Sequence, residues 1–267
     1  MISDTQLYTL INHLPGPAHA RTTDTGKYFI ANQYHATNHG FSDINASIGI
    51  TFKDIYYHRS KQIEMLQGSL ILEVQHRQVV ERLNIQADRS TKSLCARVCT
   101  LFPTGFILDG VLRKVPILGH TRSAVAILTF FEDRTYALDL LELYHLYKKH
   151  YPMQRGIIQF LKYLGIKKYF HKLPTNQEMT ILLILRENPI SKYAAKVLSI
   201  SYRTVEEYKA RLRNKLALIS LEDLLILLRM HPTQPLSINN VISSSEERVI
   251  DSRAFQSIDK RIILSKR

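Results

Sequence analysis

The side chains best suited to engage a partner lie within residues 201–215. Ser201 and Thr204 offer hydroxyls, and Arg203, Lys209, Arg211, Arg213 and Lys215 offer cationic N–H donors. Glu206 and Glu207 offer carboxylates and Asn214 an amide, with the small Ala210 among them. At about 100° per residue, Arg203, Glu207, Ala210 and Asn214 fall on one face of a helix, flanked by Glu206 and Arg211. Val205, Tyr208, Leu212 and Leu216 fall on the opposite, inward face. A helix of this kind can enter a major groove. Its Lys, Arg, Ser and Thr side chains and its N-terminal amides suit phosphates, and a carboxylate can accept from the amino group of cytosine.

A scaffold must hold that helix, and residues 173–230 contain one. Thr175-Asn176-Gln177-Glu178 has the spacing of a capping box, in which the Thr hydroxyl and the Glu carboxylate each satisfy a free backbone N–H. The apolar run Ile181–Leu185 follows, and Asn188-Pro189 ends it. Ser191 is expected to cap a second helix through Leu198, Ser201 a third through Leu216, and Ser220 a fourth over Leu224–Met230. The second and third helices have helix-turn-helix spacing across the short turn Ser199-Ile200. Ala195 is small where the two helices cross.

The string Ala195-x-x-Leu198-x-Ile200-Ser201-x-Arg203-Thr204-Val205-x-x-Tyr208, with Thr175-x-x-Glu178 before it and Lys215-Leu216 after it, resembles the LuxR-type (NarL/FixJ-type) helix-turn-helix of bacterial transcription regulators. The resemblance implies a four-helix unit that binds double-stranded DNA as a homodimer, with the third helix in the groove and the fourth at the dimer contact. The implied DNA-binding residues are Ser201, Arg203, Thr204, Glu206, Glu207, Lys209, Ala210, Arg211, Arg213, Asn214 and Lys215. Three departures stand out. Ala194 sits where a larger aliphatic residue is usual. Ser199 occupies the usual turn glycine, which requires a strained φ or a reshaped turn. The usual base-reading positions hold Glu206, Glu207 and Ala210, so no base preference carries over.

The first half reads as α+β. A helix is expected over Thr5–His13, a strand over Tyr28–Ala31, a turn-rich stretch over Phe41–Asp54, and one helical run over Lys61–Leu83. Leu94–Phe102, Phe106–Leu118 and Ser123–Phe131 are rich in β-branched and aromatic residues and are punctuated by Pro103-Thr104-Gly105 and Gly119-His120-Thr121, as in an antiparallel meander. Gly26–Asn32, Gly40-Phe41, Ile48–Ile55 and Ala126–Thr135 resemble the strand, helix and exit motifs of a PAS-type sensory domain. That resemblance implies a small-molecule signal or a dimerisation role for this half.

The full chain has 267 residues, 36 Lys and Arg against 23 Asp and Glu, and a net charge of +13. Such an excess favours a polyanionic partner. It is concentrated at residues 134–172, with eight Lys and Arg against two Asp and Glu. Leu138, Leu141, Tyr144 and His145, then Ile157, Leu161 and Leu164, predict two helices there, separated at Tyr151-Pro152. A membrane-surface or protein-interaction role for these basic helices is the alternative to DNA binding.

Other chemistry is sparse. Cys95 and Cys99 fit inert thiols on a strand, and their number excludes a disulfide framework. His35 and His39 could be neighbours on a helix, yet no third metal ligand is evident, so packing or solvent roles are expected. There is no phosphate-cradling glycine loop, nucleophile elbow or paired acid and base, so neither an enzyme nor a cofactor or metal is expected. No Trp is present, unlike the pocket of acyl-homoserine-lactone-sensing LuxR relatives. No secretory signal is evident and no apolar run approaches a membrane span, so a cytoplasmic protein is expected. The expected organisation is a PAS-like sensory or dimerisation domain at 1–135, a basic helical connector at 136–172, a helix-turn-helix domain at 173–231 and a weakly ordered tail at 232–267.

Overall fold

A computed structural model describes residues 4–232. Pro232 apart, the stretch expected to form a tail lies outside the described residues. The described residues divide into two compact units that meet between Arg134 and Thr135.

The first unit opens with α1 (Asp4–His13), β1 (Ala18–Thr22), β2 (Tyr28–Ala31) and α2 (Gln33–Asn38). It continues through α3 (Phe52–Met65) and α4 (Leu70–Asp88) to β3 (Leu94–Leu101), β4 (Ile107–Leu118) and β5 (Ala124–Asp133). The five strands form one antiparallel sheet in the order β2-β1-β5-β4-β3. This is a PAS-like antiparallel-sheet fold. One sheet face packs on α4 through Val80, Leu83, Ala87, Leu94, Val98, Leu112, Ile127 and Phe131. The other packs on α1 through Leu7, Ile11, Ala18, Ala20 and Leu128.

Two expectations need correction here. Lys61–Leu83 is not one helical run. It belongs to α3 and α4, and the chain breaks after Leu66, where Gln67 takes a φ of 56°. At Gly68 a Cβ would lie 2.5 Å from the Leu101 side chain, so only glycine fits this close approach. The strand β1 was not foreseen, because Ala18-His19-Ala20-Arg21-Thr22 carries little apolar signal. It becomes central by pairing with β2 on one side and β5 on the other.

The second unit is helical: α5 (Leu140–His150), α6 (Met153–Tyr163), α7 (Asn176–Glu187), α8 (Ser191–Leu198), α9 (Tyr202–Arg213) and α10 (Leu221–Arg229). Capping boxes start α5 at Asp139 and Glu142 and α7 at Thr175 and Glu178. Tyr144 and Tyr147 of α5 pack on Phe160 of α6, with ring centroids 5.1 and 5.6 Å apart. The Tyr144 hydroxyl donates to Asn176 Oδ1 at 2.7 Å, and an isolated bridge joins Phe170 to Leu216. Residues 140–170 therefore pack into the same unit as α7–α10. No helix among the described residues is long and apolar enough to cross a membrane.

Candidate nucleic-acid interface and cavity

In the second unit, α8 and α9 form the helix-turn-helix pair. Ser199 closes α8 in the left-handed region, with φ 54° and ψ 39°. It adopts the glycine-type turn rather than reshaping it, at a cost of about 1–2 kcal/mol for a residue with a Cβ. The Ile200 amide donates back to Ala195 O at 3.0 Å. Ser201 then caps α9, its Oγ accepting from the Thr204 amide at 3.0 Å and sharing a 2.8 Å hydrogen bond with the Thr204 hydroxyl. Val205 and Leu212 are fully buried and anchor the helix, whereas Tyr208 and Leu216 are only half-buried. The helix ends at Arg213, short of the expected Leu216, because Leu216 is taken up in the bridge to Phe170.

The anchored side leaves Arg203, Glu207, Ala210, Arg211 and Asn214 together on the exposed side of α9. Glu207 lies between two cations, 3.5 Å from Arg203 and 4.0 Å from Arg211. The Arg211 guanidinium also covers the Tyr208 ring at 5.2 Å. Exposed pairs of this kind contribute little to stability, so these side chains are free to exchange partners.

Other expected contact residues are engaged within the unit. Glu206 accepts a short hydrogen bond from Ser191 Oγ, which holds its carboxyl below the usual range, and Lys209 Nζ donates to the same two groups at 3.3 and 3.1 Å. Contrary to the expectation from sequence, Ser191 does not cap α8. Ile190 holds that position, and the Ser191 hydroxyl is turned to α9 instead. Lys215 Nζ is 2.6 Å from the buried Glu178 carboxylate, so Glu178 serves both the capping box and an ion pair. Arg213 pairs with Glu222 at 2.8 Å.

The first unit contains a feature that sequence reasoning missed. Between α2, α3, α4 and the inner sheet face lies a cavity of about 40 Å³, lined by aromatic and apolar side chains together with His19, His35, His39, His76 and Arg59. His19 Nδ1 and His35 Nδ1 share a hydrogen bond at 3.0 Å, His39 Nδ1 donates to His35 O at 2.8 Å, and the Tyr56 hydroxyl pairs with His76 Nδ1 at 2.5 Å. Burial holds all four imidazoles well below their usual range, His35 to about 3, with the cationic Arg59 adding to the effect at His35, His39 and His76. They are neutral at pH 7. Lys114, hydrogen-bonded to Thr129 at 3.1 Å, is pushed by burial down to about 7. The His35 and His39 spacing was the one linear hint of this cluster. The described residues hold no group of three or more ligands able to bind a metal, and Cys95 and Cys99 are half-buried and form no disulfide.

Together these features define a chain of two units, a PAS-like α+β unit and a helical unit that carries the helix-turn-helix pair. No protein-family model and no curated protein matches it. Among solved structures, a VqmA–ligand–DNA complex from Vibrio cholerae is similar over 88% of this chain and 92% of that one, at 19% identity and a TM-score of 0.40. A phage VqmA–DPO complex is similar over 89% and 93%, at 13% identity and 0.39. The PAS domain of BvgS from Bordetella pertussis is similar over 54% and 94%, at 16% identity and 0.38.

Proposed function

We propose that this protein is a sequence-specific, DNA-binding transcription regulator, and that its PAS-like unit senses a small molecule or mediates dimerisation. One observation carries the reading. A Ser201-capped helix, fixed by buried Val205 and Leu212, presents Arg203, Glu207, Ala210, Arg211 and Asn214 on a single exposed face after a tight left-handed turn. In this reading Arg203 and Arg211 meet phosphates, Ser201 and Thr204 contribute hydroxyl contacts at the helix start, and Glu207 reads a base edge. Glu206, Lys209, Arg213 and Lys215 act mainly by holding α9 in place. On α10, Ile226, Leu227 and Met230 are exposed, a face suited to a second copy of the chain.

The membrane-surface alternative fares worse. The apolar faces of the basic helices are already used, since Leu140, Tyr144, Tyr147, Phe160 and Leu161 are fully buried, and an interfacial helix needs such a face free. Selection of bound duplexes from a random pool tests the proposal. Glu207→Ala is expected to change the preferred sequence, whereas Arg211→Ala weakens all sequences alike and lowers the salt slope by about one. Binding that is flat with salt, or an unchanged preference in Glu207→Ala, overturns it.

A further inference from the structure

The cavity of the first unit contains polar atoms that the fold leaves unused. Arg59 is fully buried. Its Nε donates to the Glu73 carboxylate at 3.1 and 3.2 Å, and its Nη2 to Glu73 at 2.7 Å, Thr100 Oγ1 at 2.9 Å and Leu101 O at 3.1 Å. Its Nη1, with two N–H groups, is buried and has no hydrogen-bond partner among the described residues, and neither has His35 Nε2. Both residues line the cavity. A buried donor without a partner costs about as much as a lost hydrogen bond, so this wall is complete only when something else fills it.

The charge balance narrows what that is. Glu73 already neutralises Arg59, and both are almost wholly buried. The surrounding imidazoles are neutral. A carboxylate entering here would find the Arg59 charge already neutralised by Glu73 and, as a further cation, only Lys114, which burial pushes down to about 7 and which is hydrogen-bonded to Thr129 of the lining, so its burial is unfavourable. Its bidentate mode is also blocked, because Nε and Nη2 are occupied and Nη1 alone remains. The Tyr56 and Phe102 rings lie against the guanidinium, with centroids 5.1 and 5.0 Å from its carbon. A single uncharged oxygen meets both conditions, and the cavity has space for only a few non-hydrogen atoms at that point.

We infer that Arg59 Nη1 and His35 Nε2, the latter carrying the imidazole proton with His35 Nδ1 accepting from His19 Nδ1, form a subsite for the carbonyl-type oxygen of a small uncharged ligand, and that the subsite rejects the matching carboxylate. The inference rests on the reading of this unit as a small-molecule sensor.

Acetamide and acetate, nearly identical in size and differing in charge, test it on the full chain at pH 7. Acetamide is expected to bind saturably, at least about tenfold tighter than acetate, and to shift the Arg59 Nη resonances in ¹⁵N spectra. Acetate binding as tightly as acetamide, or neither compound moving those resonances, overturns the inference. Arg59→Lys keeps the charge opposite Glu73 but removes Nη1, and a folded Arg59→Lys protein should lose the preference for acetamide. A retained preference also overturns it. DNA affinity measured in the same samples separates the two readings. Acetamide binding without a change in DNA affinity leaves the subsite standing and counts against sensing. Acetate binding that alters DNA affinity sinks the subsite and leaves sensing intact.

Discussion

The two units bury charge in different ways. In the helical unit each buried charge closes a local gap. Glu178 completes the start of α7 and pairs with Lys215, and Arg186 donates to Leu228 O and His231 O at the end of α10. In the PAS-like unit Arg59, paired with Glu73, and four histidines line a cavity, and Arg59 Nη1 and His35 Nε2 have no hydrogen-bond partner among the described residues. His150 Nδ1 and His231 Nδ1 of the helical unit are also buried without a partner among the described residues, so what points to a ligand is the coincidence of two such atoms on residues that line one cavity, not an unsatisfied atom by itself. The same contrast holds on the surface, where the inner side of α9 is anchored and its outer side carries charges held only by exposed pairs.

The sharpest way to break this comparison is acid. The four cavity imidazoles have depressed folded pKa values, so the unfolded chain binds more protons. Their contribution is complete above about pH 6.5 and is lost as pH falls from there toward the folded values, His35 reaching about 3. Each proton taken up on unfolding makes stability fall by about 1.4 kcal/mol per pH unit. Burial also depresses His145, His150 and His231 of the helical unit, His150 to about 4, but with four more deeply buried groups the first unit is expected to show the largest effect. Unfolding monitored between pH 7 and pH 5 should show the PAS-like unit failing first, and equal acid sensitivity of the two units would remove the distinction.

Next in size is the buried ion pair. Glu73→Gln leaves Arg59 charged and uncompensated, and should destabilise the first unit by about 3–5 kcal/mol. Replacing both residues with methionine should cost much less. Denaturant titration of the single and double variants measures the difference, and comparable losses would mean that the pair itself, rather than an orphaned charge, matters. In the helical unit Leu212→Ala should cost about 2–5 kcal/mol by opening a cavity under α9. A melt that resolves the two units should show the loss in the second alone.

A smaller effect has the opposite sign. Ser199→Gly relieves the left-handed φ of 54° and should stabilise the helical unit by about 0.5–1 kcal/mol, once the greater flexibility of unfolded glycine is counted. A loss of stability would mean that the serine side chain holds the turn by a contact that outweighs its strain. Arg203→Ala, on the exposed face, should stay within about 0.5 kcal/mol of the parent. That contrast separates residues that build α9 from residues that α9 displays.

The helical unit was legible because its signals act within a turn or two. Thr175 with Glu178, Ser201 and Ser220 each mark a helix start by the side chain they offer to an amide three residues on, and Val205 and Leu212 mark the inward face by spacing alone. Where the reading slipped, a tertiary contact had overridden a local one: Ser191 turned its hydroxyl to Glu206, and Leu216 left the helix to pair with Phe170. In the first unit the meander β3–β5 was legible from its composition, and the break at Gly68 was not, since it depends on the approach of Leu101. Composition, caps and periodicity determined the classes of the two units and which face of α9 is displayed. The cavity was decided by tertiary structure alone. Its walls come from β1, β2, α2, α3, α4 and the far strands, and Arg59 meets Glu73 fourteen residues away and Leu101 forty-two away. No local pattern encodes that meeting, because burial and charge pairing across such distances exist only once the sheet has closed over the helices.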